Sequence, residues 1–291
     1  MKHRILLVVL LIILLLVWYR PKAEYFTGQY ELPKIMWSYW DTEELPESVR
    51  LIYENRVGKM PGWKHLCLNA NTISDYIDIS QPPSGFDKLI IQHKTDYYRL
   101  LLLQKYGGVW IDISIIVNDP REIDKLYDEA ISKRSEFTGF ILNQDPDRTK
   151  YIENWFIMAP KNSDLINVWL KEFTKAISMG FDNYMPSAKA EGVILVNPIN
   201  PYLTQHACMQ TVLQKRLGRK ANIILNDAEK NMFKIQVDCN WNNECLINKF
   251  KNEAAEVRKI PFIKLRGGER GFDIKKYFLT EGFGNRVGYA A

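Results

Sequence analysis

The sequence predicts an α/β domain, with a mostly parallel sheet flanked by helices, preceded by an N-terminal membrane segment. After Leu32, apolar strand-like runs alternate with amphipathic stretches, which is typical of a sheet covered by helices. Before it, the run from Ile5 to Tyr19 contains no charged residue. The chain has 291 residues, 46% of them hydrophobic, which is enough for one large core or two modest ones and excludes a disordered protein.

The apolar run at the N-terminus predicts a single-pass anchor over residues 1–22. At a helical rise of about 1.5 Å per residue it spans roughly 22 Å, less than a hydrocarbon core of ~30 Å, although Trp18 and Tyr19 suit the interface. The alternative is a cleaved signal peptide, but no A-x-A-like site follows and Trp18-Tyr19-Arg20 is a poor cleavage region. Two basic residues on each side leave the orientation open. Residues 23–32 are then a tether.

The pattern of strands and helices predicts one domain over 33–270, followed by a C-terminal tail over 271–291. A helix begins near Pro46, and a second begins with Thr95 as its N-cap and ends at Gly107-Gly108. The predicted strands cover 34–40, 63–68, 109–112, 137–142 and 155–159. The predicted helices cover 46–57, 95–106, 164–178 and 202–217.

Charge and cysteine content exclude two classes of protein. The 39 basic and 34 acidic residues give a net charge of +5, too little for a protein that binds nucleic acid by neutralising phosphates. The four cysteines lack the paired short spacings of a zinc module. Cys239 and Cys245 flank a polar stretch that either closes a small disulfide loop or leaves two free thiols.

The segment from Lys94 to Ser114 carries the residues most suited to chemistry. Asp96 and Arg99 are one helical turn apart, and most such pairs are surface salt bridges. Asp112 ends the following apolar strand, and Ser114 lies two residues later, on the same face of an extended chain. Because α/β sheets bind ligands at strand ends, the four side chains together form a candidate site.

These residues resemble a known family. The run D-x-x-R, an apolar helix and Y-G-G-V-W-I-D-x-S is similar to glycosyltransferases with a sugar-binding DXD region, and most closely to the capsular polysaccharide synthesis branch. Three further stretches occur in the family's order and extend the resemblance over residues 32–266. They are Pro33-Lys34-Ile35-Met36-Trp37-Ser38-Tyr39-Trp40, Asn154-Trp155-Phe156-Ile157-Met158-Ala159 and Tyr202-Leu203-x-x-His206.

The resemblance implies a GT-A fold with a single nucleotide-binding domain. It also implies transfer of a sugar, with retention at the anomeric carbon, from a UDP- or GDP-sugar to a hydroxyl of a glycan or glycolipid. Asp112, with Ser114, is then the ligand of Mn²⁺ or Mg²⁺, which neutralises the diphosphate leaving group. The other residues carried over are Asp96 and Arg99, expected to bind the donor sugar and act in catalysis, and Trp37, Tyr39 and Asn154, expected to bind the donor.

Several alternatives accompany this assignment. Trp37 is equally suited to core packing in a buried strand. Ser114 replaces the second acidic residue of D-x-D, and Ile263 stands where related proteins have a His that could be a third metal ligand. His206 could replace that ligand, but a packing role is favoured. These departures support a second possibility, an inactive sugar- or nucleotide-binding relative that acts as a membrane-tethered assembly factor. A nucleotide-sugar hydrolase is a third.

Overall fold

The computed structural model describes residues 29–142, 151–195, 200–270 and 274–279. Its main sheet has six strands in the order β2-β1-β3-β6-β5-β7, and a second sheet pairs β4 with β8. β1 is parallel to β2 and β3, β5 is parallel to β7, and β6 runs antiparallel to both β3 and β5. The strands are β1 (Ile35–Tyr39), β2 (Lys64–Leu68), β3 (Gly108–Ile111), β4 (Ile115–Val117), β5 (Phe137–Leu142), β6 (Tyr151–Ala159), β7 (Ile223–Asp227) and β8 (Phe262–Lys264).

Helices cover the sheet, so the predicted α/β architecture is confirmed and the sheet is mixed. The α-helices are α1 (Glu47–Lys59), α2 (Ile91–Tyr106), α3 (Arg121–Lys133), α4 (Asp164–Met179), α5 (Phe181–Ala190), α6 (Thr204–Thr211), α7 (Lys234–Asp238), α8 (Asn243–Asn252), α9 (Ala254–Val257) and α10 (Lys275–Leu279). A π-helical turn, Val212–Arg216, continues α6.

Two adjacent glycines make the sharp transition from α2 to β3. Gly107 and Gly108 have φ angles of +69° and +97°, a region that residues with a Cβ rarely adopt. A Cβ at Gly107 would lie 2.5 Å from the backbone nitrogen of Lys161, and one at Gly108 would lie 2.6 Å from the carbonyl oxygen of Ile35. Glycine is therefore required by both conformation and packing, and the transition brings β3 directly alongside β1.

Side-chain alternation along the strands separates two cores, one on each face of the main sheet. Trp37 and Trp110 point into the first core with α2 and α4, while Met36 and Val109 point into the second. A third cluster packs around β4 and β8. This cluster includes Tyr277 and Phe278, so the segment predicted as a tail enters the packed structure.

The chain joins the fold before the end of the predicted tether. The Tyr30 hydroxyl donates to the backbone oxygens of Ala130 and Ser135, at 2.9 and 3.1 Å. Leu32 is buried in the second core. The predicted anchor over residues 1–22 lies outside the described residues. Within the residues that the structure describes, no helix is both long enough and apolar enough to cross a bilayer.

Two predicted helix boundaries differ from the structure. Thr95 is not an N-cap, because α2 begins at Ile91 and the Thr95 hydroxyl donates to the Ile91 backbone oxygen at 2.8 Å, as Thr does inside a helix. The single helix predicted over 202–217 is divided into a short 3₁₀ turn, α6 and the π-helical turn.

Candidate active site

A cavity of about 670 Å³ opens where the parallel strands β1 and β3 end. Trp40 and Asp41 follow β1, and Asp112 to Ser114 follow β3, so two neighbouring strand ends supply adjacent parts of its wall. β6 runs in the opposite direction and contributes Tyr151, Glu153, Asn154 and Trp155, from its first half, at the same edge. This is the edge at which α/β sheets bind ligands.

A polar network around the Asp96 carboxylate forms one wall of the cavity. Asp96 Oδ1 accepts hydrogen bonds from Arg99, one turn later in α2, and from Asn154 on β6, the latter at 3.1 Å. Its other oxygen lies 3.3 Å from His93 Nδ1. Gln205 closes the network: its side-chain oxygen accepts from Arg99 at 2.9 Å and from Asn154 at 2.7 Å, and its amide donates to the Asp96 backbone oxygen.

Arg99 connects this network to the end of β3. Its Nη2 lies 3.6 Å from Asp112 Oδ1, and its guanidinium carbon lies 4.9 Å from the ring centroid of Trp110. The Trp110 indole donates to the same Asp112 oxygen at 3.0 Å. Asp96 and Arg99 are only 7% and 5% exposed. The alternative of a surface salt bridge is therefore wrong. The pair is buried in the cavity wall, beside Asp112.

Asp112 is held between cations from two distant parts of the chain. Its Oδ2 accepts a hydrogen bond of 2.8 Å from Lys264 on β8, and Oδ1 faces Arg99. Burial by itself would raise the pKa of Asp112, but the positive charges of Lys264 and Arg99 and hydrogen bonds from Lys264 and Trp110 outweigh it. The pKa of Asp112 is therefore lowered below its usual value, and the carboxylate is ionised at neutral pH.

Ser114 lies in the turn after β3 and is brought next to Asp112 by Lys264. Lys264 Nζ donates to Ser114 Oγ at 2.9 Å as well as to Asp112. The Ser114 hydroxyl donates to the backbone oxygen of Leu265 at 3.1 Å. One ammonium group thus contacts both candidate metal ligands, although Ser114 lies in a turn and not on the extended strand that was predicted.

This donor set does not fit Mn²⁺ or Mg²⁺. Such ions are commonly held by one or two carboxylates and complete their shell with waters and phosphate oxygens, but here the one carboxylate and the one hydroxyl of this turn are both engaged by the Lys264 ammonium. In the described part of the chain, no group of three or more His, Cys, Asp or Glu side chains is arranged to hold a metal. A doubly charged ion about 4 Å from the ammonium would be repelled by roughly 8 kcal/mol at an effective dielectric constant of about 20. An ion could bind only after Lys264 had left.

Ile263 does not mark the loss of a ligand from the cavity. Its side chain is fully buried in the third core cluster, while Lys264, the next residue of β8, lines the cavity. Alternate residues of a strand face opposite sides. A histidine at position 263 would therefore point into the core, and the expectation that Ile263 removes a metal ligand is wrong.

The aromatic residues of β1 divide between the core and the cavity. Trp37 is 1% exposed, its indole donates to the Gly107 backbone oxygen at 2.9 Å, and its ring packs against Tyr76 and Tyr106. It cannot stack on a nucleotide base, so the donor-binding role expected for Trp37 is corrected to core packing. Tyr39 lines the cavity, and its hydroxyl donates to Asp41 at 2.9 Å.

A second buried acid lies beside the first network. Glu153 Oε2 is 3.5 Å from His206 Nε2, and both side chains are less than one-tenth exposed. The His206 ring stacks on Tyr151 with 4.7 Å between centroids. His206 thus packs, as the favoured prediction had it, and it also lines the cavity.

A disulfide-closed loop presents an aromatic ring to the cavity. Cys239 and Cys245 form a disulfide in the structure, so of the two possibilities left open by the sequence, a closed loop or two free thiols, the structure has the closed loop. Inside the loop, Asn240 and Trp241 have φ angles of +46° and +59°. Trp241 lines the cavity, and the guanidinium of Arg266 lies 5.1 Å from its ring centroid.

Three residues of the site are absent from the sequence-based set. Gln205 belongs to a short helix with no charge pattern, and Lys264 lies on a three-residue strand in a region without readable periodicity. Arg56 on α1 is buried, which lowers its pKa to about 10, and it donates to Ser38 and to the Asp112 backbone oxygen. The available signal is position: Gln205 lies inside the matched stretch Tyr202-Leu203-x-x-His206, and Lys264 follows Ile263, which was compared with a family histidine.

Comparison with known proteins finds a family model, curated relatives and solved structures to which this chain is similar. The family model described as capsular polysaccharide synthesis protein matches residues 22–185. The O-glycosyltransferase braB of Annulohypoxylon truncatum is 29% identical over 157 residues, 49% of this chain and 37% of that protein. The O-glycosyltransferase PaGT of Phomopsis amygdali is 35% identical over 86 residues, 29% of this chain and 20% of that protein.

The chain therefore spans well under half the length of these curated relatives. Among solved structures, the galactosyltransferase LgtC in complex with donor and acceptor sugar analogs has a TM-score of 0.43 and 11% sequence identity. That alignment covers 88% of this chain and 97% of LgtC.

Proposed function

The chain belongs to the capsular polysaccharide synthesis protein family, and from this premise we propose that it is a glycosyltransferase of GT-A type. The proposed reaction moves a sugar from a nucleotide-sugar to a hydroxyl of a glycan or glycolipid, with retention at the anomeric carbon. Relatives named as O-glycosyltransferases support the reaction class. The observation that carries the proposal is the convergence of Asp96, Arg99 and Asp112 at one strand-end cavity.

The cavity has the size and the chemistry for such a donor. Its volume of about 670 Å³ is within the usual range for small-molecule sites. Among the described residues that line it, four carboxylates are matched by four basic side chains, so an added diphosphate would meet no excess of negative charge. The basic residues are Arg99, Lys264, Arg266 and Arg270.

The predicted donor-binding residues other than Trp37 each receive a role in this proposal. Asp96 and Asn154 hold the donor sugar through its hydroxyls, because carboxylate and amide groups bind hydroxyl groups in a defined orientation. Arg99 faces the sugar-phosphate bond and stabilises the negative charge that develops on the leaving diphosphate. Tyr39 and the neighbouring Trp40 form an aromatic wall for the nucleoside.

Metal dependence, expected from the D-x-S motif, is left out of this proposal because the donor set around Asp112 and Ser114 does not fit a divalent ion. The predicted anchor is retained as part of it. Residues 1–22 would tether the domain to a bilayer, where a glycolipid or a membrane-bound glycan is within reach.

A donor screen tests the proposal. The full chain is incubated with each of a panel of UDP- and GDP-sugars, and the shift of the thermal unfolding midpoint is measured, since a ligand that binds the folded state raises it. One donor should stabilise the protein, and its nucleotide should be released when a glycan acceptor is added. Stabilisation by a donor without transfer to any acceptor would favour the inactive relative, and no stabilisation by any donor would overturn the assignment.

A further inference from the structure

We propose that the Lys264 ammonium takes the place of the divalent cation at this site, so that the protein binds the donor's diphosphate without a metal ion. This inference rests on the proposed function, because it concerns the diphosphate of the same donor. It assigns a role to Lys264, a residue to which the sequence analysis gave none.

The position of Lys264 is the first support. Its Nζ bridges Asp112 Oδ2 and Ser114 Oγ, at 2.8 and 2.9 Å, which are the two atoms that a D-x-S motif would offer to a metal. A cation placed on those oxygens faces the diphosphate. The ammonium therefore provides a positive charge where a metal ion would otherwise provide it.

The backbone fixes Lys264 there, which is the second support. β8 pairs with β4 so that Lys264 is opposite Ile115, the residue after Ser114. Its backbone nitrogen donates to Met232 at 2.9 Å, and its backbone oxygen accepts from Gln236 at 2.7 Å. The side chain is 13% exposed. Lys264 is thus held in the wall of the site and is not a mobile surface lysine.

The ligand chemistry is the third support. The second carboxylate of a D-x-D motif is replaced by the neutral hydroxyl of Ser114, and a lysine contacts that hydroxyl. An aspartate at that position would attract a metal more strongly than a serine does. The neutral Ser114 hydroxyl is therefore consistent with a lysine at this position, because Asp112 is the one carboxylate that the motif supplies and no second carboxylate attracts a divalent ion beside the ammonium.

The test separates nucleotide binding from metal binding. Binding of UDP and of GDP to the full chain is measured by calorimetry, once with EDTA and once with Mn²⁺, and UMP and GMP serve as probes without the β-phosphate. We expect UDP or GDP to bind with the same affinity in both conditions. In EDTA, Lys264→Met should lower the affinity for the nucleoside diphosphate roughly ten- to hundredfold, because that is the strength of a charge-assisted hydrogen bond. The affinity for the nucleoside monophosphate should fall much less.

The matched control is Lys125→Met, at a lysine on α3 that is 71% exposed and outside the cavity lining. It should leave the affinity unchanged. A thermal unfolding curve of each variant establishes that it is folded before its binding is interpreted.

A second measurement, of Mn²⁺ alone, does not depend on the donor. Free Mn²⁺ is followed by its electron paramagnetic resonance signal as protein is added. Wild type should leave the signal unchanged, whereas Lys264→Asp, which adds a carboxylate beside Asp112 and Ser114, should reduce it by creating a metal site.

Diphosphate binding that requires Mn²⁺, or Mn²⁺ binding by wild type, would overturn the role of Lys264 while leaving the proposed glycosyltransferase intact. If neither UDP nor GDP binds in any condition, both the role of Lys264 and the proposed function are overturned.

Discussion

Arg99→Lys tests whether the planar guanidinium, and not only its charge, holds the site together. In wild type, Nη1 donates to both Asp96 and Gln205 while Nη2 faces Asp112 at 3.6 Å. A lysine has one nitrogen at the end of a flexible chain, so it cannot reach all three partners from a single position. We therefore expect the network around Asp96 to separate from Asp112.

The magnitude follows from the contacts that are lost. One charge-assisted hydrogen bond contributes roughly 1.5–3 kcal/mol, and the contact with the Trp110 ring at 4.9 Å adds about 0.5–2 kcal/mol when it is shielded from water. Since lysine retains part of both interactions, the free energy of unfolding should fall by about 2–4 kcal/mol. Binding of the diphosphate probe should weaken as well, because Arg99 faces the cavity.

The assay is urea denaturation of the full chain, with the slope of the transition compared between variants to establish that the same transition is measured. The control is Arg121→Lys. Arg121 donates two hydrogen bonds to Asp119, yet its side chain is 82% exposed, so solvent screens the pair and the free energy of unfolding should be almost unchanged. Equal stability losses in the two variants would refute the argument that Arg99 acts through a buried planar network.

Three further predictions concern charge, chain length and the disulfide. The pKa of Asp112 is lower in the folded protein than in the unfolded chain, where it is about 3.9. At pH values above about 3.9 the ion pairs of Asp112 therefore stabilise the folded protein, and this stabilisation is lost as the pH falls through the folded-state pKa. The stability difference between wild type and Asp112→Asn, measured in urea, should therefore be constant near neutral pH and shrink in acid. Deleting residues 1–28 should leave a folded domain, whereas deleting residues 1–32 should lower the free energy of unfolding by about 3 kcal/mol through lost burial and hydrogen bonds. Cys239→Ser with Cys245→Ser should cost roughly 2 kcal/mol by releasing a short closed loop.

Each of these predictions has a result that contradicts it. If the stability difference between wild type and Asp112→Asn grew in acid, the pKa of Asp112 would be raised in the folded protein, not lowered. Equal unfolding midpoints for the two truncated chains would mean that residues 29–32 do not belong to the fold. For the cysteines, the control is wild type in reductant, which should match the double variant. An oxidised wild type no more stable than the reduced protein would refute the disulfide contribution.

Three features could be predicted from the sequence: the alternation of strands and helices, the end of α2 at two glycines, and the family resemblance. These features depend on local rules: side-chain periodicity follows the backbone geometry, and glycine alone accepts the positive φ angles of Gly107 and Gly108. The same rules place Asp96 and Arg99 on one helical turn and Asp112 at a strand end. The candidate residues within this segment could therefore be found without a structure.

The tertiary structure alone decided which distant residues complete the site and which motif residues leave it. Lys264 is 152 positions from Asp112, and Gln205 is 106 from Arg99, so no local pattern links them. Trp37 matches the family motif equally well in the core or in the cavity, and only the packing of α2 against β1 assigns it to the core. Sequence periodicity specifies the face of an element, but the neighbour that the face meets depends on how the whole chain folds.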